Sequence, residues 1–139
     1  MSTVIRAEIS RKNKYWVSKH RHYELKHFCL QYPTWKQEYR RLENCCLSSS
    51  LVEYKSTTNI PSDPTGKCVL IMDHYANKIK LIEEVAMQAD ELLYDYILKA
   101  VTEGLSYTYL QTVMKIPCSR DTYYDRYRKF FWLLSERRG

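Results

Sequence analysis

Near one end of the sequence, the run IPCSRDTYYDRYRKFFWLLSERR places Ser119, Arg120, Tyr124, Arg128 and Lys129 within the span of a single helix. These side chains suit a polyanion: arginine bonds guanine or phosphate, tyrosine bonds phosphate, and aspartate accepts from the cytosine amino group. Ser119 is placed to cap the helix and to donate to phosphate, with Asp121 in the first turn where negative charge is favourable. At about 100 degrees per residue, Tyr123, Tyr127, Phe130, Phe131 and Leu134 fall within a sector of about 100 degrees, the width of a core-facing stripe. Those five are expected to be buried. Opposite them lie Asp121, Asp125, Arg128 and Trp132, with Tyr124 and Lys129 on the flanks. The alternatives are an ordinary solvated helix face, which the two aspartates favour, and a protein interface, which would cover Trp132.

The elements that must position these residues are legible upstream. Gly104 reads as a helix stop and Ser106 as the cap of a short helix reaching about Met114, followed by a turn over residues 115–118. Short helix, turn and basic helix together have the layout of a helix-turn-helix. Before them, Asp63, Pro64 and Thr65 signal a helix start, and residues 67–103 contain neither Gly nor Pro. Cys68, Met72, Tyr75, Ile79, Ile82, Ala86 and Ala89 form a seam suited to a core stripe, a hairpin or a dimer. Asp90 is a second cap, so helices of about 64–89 and 90–103 are expected, with one unbroken rod as the alternative. Earlier in the chain, periodic residues predict a helix over about 15–32 that Pro33 ends, and a second over about 34–47. The serine-rich segment 48–63 reads as a linker, and residues 1–13 as a loose arm. The expected organisation is all-α: a basic, aromatic-rich helical arm over 1–47, a polar linker over 48–63, and a long helix plus helix-turn-helix over 64–139.

The segment LSYTYLQTVMKIPCSRDTYYDRYRKFFWLLSERR resembles the C-terminal module of the small phage transcription regulators RinA and ArpU, itself similar to region four of sigma factors. DPTGKCVLIMDHYANKIKLIEEV resembles the opening and long helix upstream of that module. The resemblance covers residues 63–138. It implies sequence-specific binding at a phage promoter to control late genes, with double-stranded DNA and RNA polymerase as partners.

Composition narrows the field. Only three glycines among 139 residues argue against glycine-rich nucleotide cradles and tight-turned β folds. The net charge of +6 is unevenly distributed: residues 1–47 carry ten basic against four acidic residues, 48–103 five against nine, and 104–139 seven against three. Two basic ends flanking an acidic middle fit a polyanion reached by both ends. Five cysteines, without a paired CxxC spacing or a secretory leader, read as reduced thiols in the cytoplasm. No apolar run reaches the roughly 20 residues that span a bilayer, so no membrane partner is expected. His20, His22, His27 and Cys29 do not converge on one helix face, and no metal or other cofactor is expected. The adjacent Glu83 and Glu84 diverge and Asp73-His74 lacks a nucleophile, so no catalytic residues are assigned and no enzyme is expected.

The resulting expectation is a phage-type transcription regulator that contacts DNA through Ser119, Arg120, Tyr124, Arg128 and Lys129. One such module gives a small interface, so a homo-oligomer is expected, formed through the 68–89 seam or the aromatic N-terminal helices. Two rivals share the pattern: a DNA-packaging protein of the small-terminase kind, and a helical adaptor that binds protein alone. Lys14, Lys19, Arg21 and Lys26 are candidates for a second phosphate-binding strip.

Overall fold

The computed structural model describes residues 13–53 and 64–139, with side chains over 13–45 and 66–139. Its described residues form six helices and no strand: α1 (Lys19–Leu30), α2 (Tyr32–Glu53), α3 (Pro64–Ala89), α4 (Tyr94–Glu103), α5 (Tyr107–Thr112) and α6 (Arg120–Arg138). The chain is therefore all-α. Its described residues divide into two compact units, one of residues 13–31 with 81–139 and one of residues 32–80. The region expected as a basic arm is divided between them: α1 packs with α4 and α6 in the larger unit, and α2 belongs to the smaller.

The larger unit is built around aromatic and branched residues. In α1, His22, Leu25, Phe28 and Cys29 recur on one face and are buried, and in α4 the stripe is Ile97, Ala100 and Val101. Tyr123, Phe130, Phe131 and Leu134 of α6 are at most 2% exposed, as are Leu25, Ile82, Val85, Ile97 and Leu110. Burial of each large apolar side chain stabilises the unit by about 1.5–3 kcal/mol before conformational entropy is counted. Tyr127, expected in the buried stripe, is only half-buried, although its ring meets His22 and Phe131 at 6.2 and 4.9 Å.

Local signals set several boundaries as expected. Gly104 ends α4 at φ 72, its amide donating to the Ala100 carbonyl. A side chain in that left-handed region would be strained, whereas glycine is not. Ser106 and Ser119 accept from the amides of Tyr109 and Thr122, capping α5 and α6. The long run upstream is two helices, broken after Ala89, where Asp90 Oδ1 accepts from the amides of Leu92 and Leu93 at 2.9 and 3.1 Å. Helix α4 then begins at Tyr94 and not at residue 90, because those bonds hold a turn over 91–93.

Other expectations are corrected. The first helix begins at Lys19, not near Tyr15, since Asn13 Oδ1 accepts from the Tyr15 amide and its carbonyl from the Trp16 amide, fixing a turn. The break expected at Pro33 is present, between Leu30 and Tyr32, with Pro33 itself in the first turn of α2. There the missing N–H is harmless, because first-turn amides have no helical acceptor. Helix α2 also runs through residues 48–53 of the expected linker. The rest of that linker, the arm before residue 13 and the Asp63 cap lie outside the described residues.

In the smaller unit, Tyr32, Trp35 and Leu42 of α2 are buried, while Cys68, Met72, Tyr75 and Ile79 of α3 are half-buried. Lys78 places its ammonium 5.1 Å from the centre of the Trp35 ring. Cys68 is disulfide-bonded, a correction to the expectation of five reduced thiols. Cys29, Cys45 and Cys118 are free. The seam expected for self-association is used within the chain at its C-terminal end, where Ile82, Ala86 and Ala89 are buried in the larger unit. No described helix is long and apolar enough to cross a membrane.

Candidate nucleic-acid interface

Residues 113–119 reverse the chain between α5 and α6 so that the start of α6 lies beside α5. Lys115 makes the turn at φ 58, a left-handed conformation in a residue other than glycine. The turn closes through the Ile116 amide, which donates to the Leu110 carbonyl, and the buried Ile116 side chain. Tyr107, at the start of α5, donates its hydroxyl to the Cys118 carbonyl at 2.7 Å and sets its ring 5.6 Å from Tyr123. The two helices are thus joined by one hydrogen bond and an aromatic contact.

This junction leaves one edge in solvent. Thr108, Gln111, Thr112 and Lys115 are exposed on α5 and the turn, and Ser119, Arg120, Asp121 and Thr122 at the start of α6. Most of these side chains are neutral hydrogen-bonding groups, with two cations and one carboxylate. The Arg120 guanidinium sits 5.1 Å from the centre of the Tyr107 ring, which orients it without neutralising it. Ser119 Oγ also lies 3.1 Å from Thr122 Oγ1, so the cap belongs to a small hydroxyl pair.

Further along α6, the expected contact residues are less accessible. Arg120, Tyr124 and Arg128 recur at every fourth position and line one flank over about 12 Å. Tyr124 is half-buried, its ring 6.4 Å from Tyr107 and 6.0 Å from Tyr127. Arg128 is half-buried with Tyr15, Trp16, Val17 and His22 around it, and its Nε is buried with no hydrogen-bond partner. Trp132 packs on Tyr15 at 5.8 Å between ring centres. The face expected to stand free therefore has its middle covered by residues 15–17. A helical projection of α6 alone could not reveal this, because the covering residues come from the opposite end of the chain. Lys129 is half-buried and, among the described residues, has no ion pair.

Charge on α6 is also partly used within the unit. Arg126 donates from Nε to Asp90 at 3.1 Å and from Nη1 to Asp125 at 2.6 Å, and Arg137 pairs with Glu84 at 2.9 Å. Asp125, which would repel phosphate, is thereby balanced. Burial raises the hydroxyl pKa of Tyr123 and Tyr127, so both remain neutral donors. His22 is held neutral: burial first, and then the Lys26 charge, lower its pKa to about 4.

Of the five expected site residues, Ser119 and Arg120 are exposed together, Tyr124 and Arg128 continue their flank at reduced exposure, and Lys129 lies to the other side of the helix. The exposed edge of α5 adds residues to these five. Its signal was the alternation of buried Tyr107 and Leu110 with polar Thr108, Gln111 and Thr112. Among the described residues no group of three or more His, Cys, Asp or Glu side chains is arranged to hold a metal ion; His22 and Cys29 are buried and His20 and His27 exposed. No protein-family model, curated protein or solved structure matches the chain.

Proposed function

We propose that the chain binds double-stranded DNA through a helix-turn-helix formed by α5, the 113–119 turn and α6, and acts as a sequence-specific transcription regulator of phage type. The observation that carries this reading is the joint exposure of Ser119, Arg120 and Thr122 at the start of α6 beside the hydroxyl and amide side chains of α5. The first turn of such a helix is the part that reaches base edges in a major groove, while neighbouring hydroxyls bond phosphates. Arg120 is the base-reading candidate, and Ser119, Thr122 and Lys115 position the backbone. Tyr124 extends the same flank, and Arg128 beyond it is enclosed by residues 15–17. The resemblance of residues 63–138 to phage regulators adds the regulatory role and RNA polymerase as a further partner. Two copies on adjacent half-sites would give the specificity that one small interface lacks.

Selection from random duplexes followed by electrophoretic shift at low and moderate salt tests the reading. Wild type is expected to shift duplex at low salt and to enrich a motif. Arg120→Ala is expected to weaken binding to that motif about tenfold or more, in line with the roughly 1–3 kcal/mol of a bidentate base contact. Absence of a shift at low salt overturns the reading. A second reading, contact with protein in place of DNA, is favoured by Tyr109 of α5 and Val113 at its C-terminal cap, spaced i and i+4 and 41% and 57% exposed. It predicts that Val113→Asp abolishes polymerase association while Arg120→Ala leaves it intact.

A further inference from the structure

A cleft of about 70 Å³ opens between α1 and the junction of α4 with α5, lined by Lys26, Leu30, Gly104, Ser106 and Tyr127 among others. We infer that this cleft takes a phosphate of the DNA backbone, with Lys26 as its cation, so that α1 clamps the duplex beside the segment met by α6. The inference rests on the DNA-binding reading above and adds a contact to it.

Three observations point to an anion. Lys26 has no ion pair among the described residues, whereas Arg21, on the same helix, is committed to Glu24 at 2.6 Å and to Ser135 at 3.1 Å. On α4, Glu103 lies 3.8 Å from Lys99. The cleft further combines its ammonium with a hydroxyl: Ser106 Oγ accepts from the Tyr109 amide and retains its own proton to donate. Finally, the cleft adjoins the proposed contact edge. Its wall is Tyr127, which meets Tyr124, and Tyr124 meets Tyr107, the ring beneath Arg120. A chain of ring contacts thus runs from the cleft wall to the ring beneath Arg120. This selects one member from the basic strip considered over Lys14, Lys19, Arg21 and Lys26.

The test is fluorescence anisotropy with a duplex of about 25 base pairs over a salt series, comparing wild type, Lys26→Gln, Lys26→Arg and, as a control, Lys99→Gln. Each neutralised phosphate contributes about 0.9 to the slope of log affinity against log salt. Lys26→Gln is expected to weaken binding roughly fivefold at low salt and to flatten the slope by about one, while Lys26→Arg and Lys99→Gln track wild type. A Lys26→Gln protein with unchanged thermal melting, affinity and slope overturns the inference and leaves the DNA-binding reading standing. Inorganic phosphate, titrated at constant ionic strength, separates the source: competition with duplex for wild type but not for Lys26→Gln supports the backbone assignment, whereas Lys26-dependent phosphate binding that leaves duplex affinity unchanged assigns the cleft to free phosphate and overturns it. A wild type that does not bind duplex overturns both.

Discussion

His22 is buried at 4% exposure against Phe131, their rings 4.7 Å apart, and its imidazole pKa is lowered to about 4 by burial and by Lys26. An unfolded chain would protonate the same imidazole near pH 6.5. As pH falls through that value the unfolded state takes up a proton that the folded state refuses. The His22 contribution is therefore intact above about pH 6.5 and is lost progressively toward pH 4, by on the order of 3 kcal/mol. Urea denaturation of wild type and His22→Leu at pH 7.5, 5.5 and 4.5 checks this. The stability difference between the two proteins is expected to shift in favour of the variant as pH falls, whereas a constant difference would show that His22 titrates alike in both states. Single residues were legible in the sequence only where their chemistry is local. Ser106, Ser119 and Gly104 act on amides and carbonyls within one turn, so their roles could be read directly. Lys115 could not: nothing in a lysine announces a left-handed φ, which is imposed by the need to bring Ile116 inward.

At the scale of elements, Asp90 joins three helices. Its Oδ1 holds the turn between α3 and α4, and its Oδ2 accepts from Arg126 of α6. The cap could be inferred from an acidic residue after the Ala89 break, but not its second partner, which lies far along the chain. Asp90→Ala is expected to cost about 1–2 kcal/mol, combining loss of a cap with loss of a half-exposed ion pair. Asp90→Asn, which keeps the oxygen facing Leu92 and Leu93 but not the charge, is expected to recover most of it. Thermal melts of the two variants separate the contributions: equal losses would mean that the ion pair, and not the turn, dominates. The same contrast between local and remote causes explains the largest departure from what the sequence leads one to expect. The cover over Arg128 and Trp132 arises from Tyr15, Trp16 and Val17, whose partner no periodicity within 13–17 could name.

For the whole molecule, the uneven charge of the sequence takes on a different meaning once folded. Its basic end and acidic middle partly answer each other inside the larger unit, through Arg126 with Asp90 and Arg137 with Glu84. The excess of cations over residues 104–139 therefore overstates what a polyanion can meet. Arg138 lies 4.0 Å from the centre of the Phe28 ring, and Arg128 is enclosed by residues 15–17. The cations left without an ion pair among the described residues near the proposed contact edge are Lys26, Lys115 and Arg120. If these engage phosphates, log affinity should fall against log salt with a slope of about −2.7 per protomer. Engagement of all seven basic residues of the C-terminal segment would instead give about −6. Arg126→Gln and Arg137→Gln separate the two cases further, since each should leave the slope unchanged while lowering thermal stability slightly, as expected for half-exposed ion pairs. A steep slope that flattens in either variant would mean that binding pulls these arginines from their carboxylates, and that the larger unit rearranges when it meets DNA.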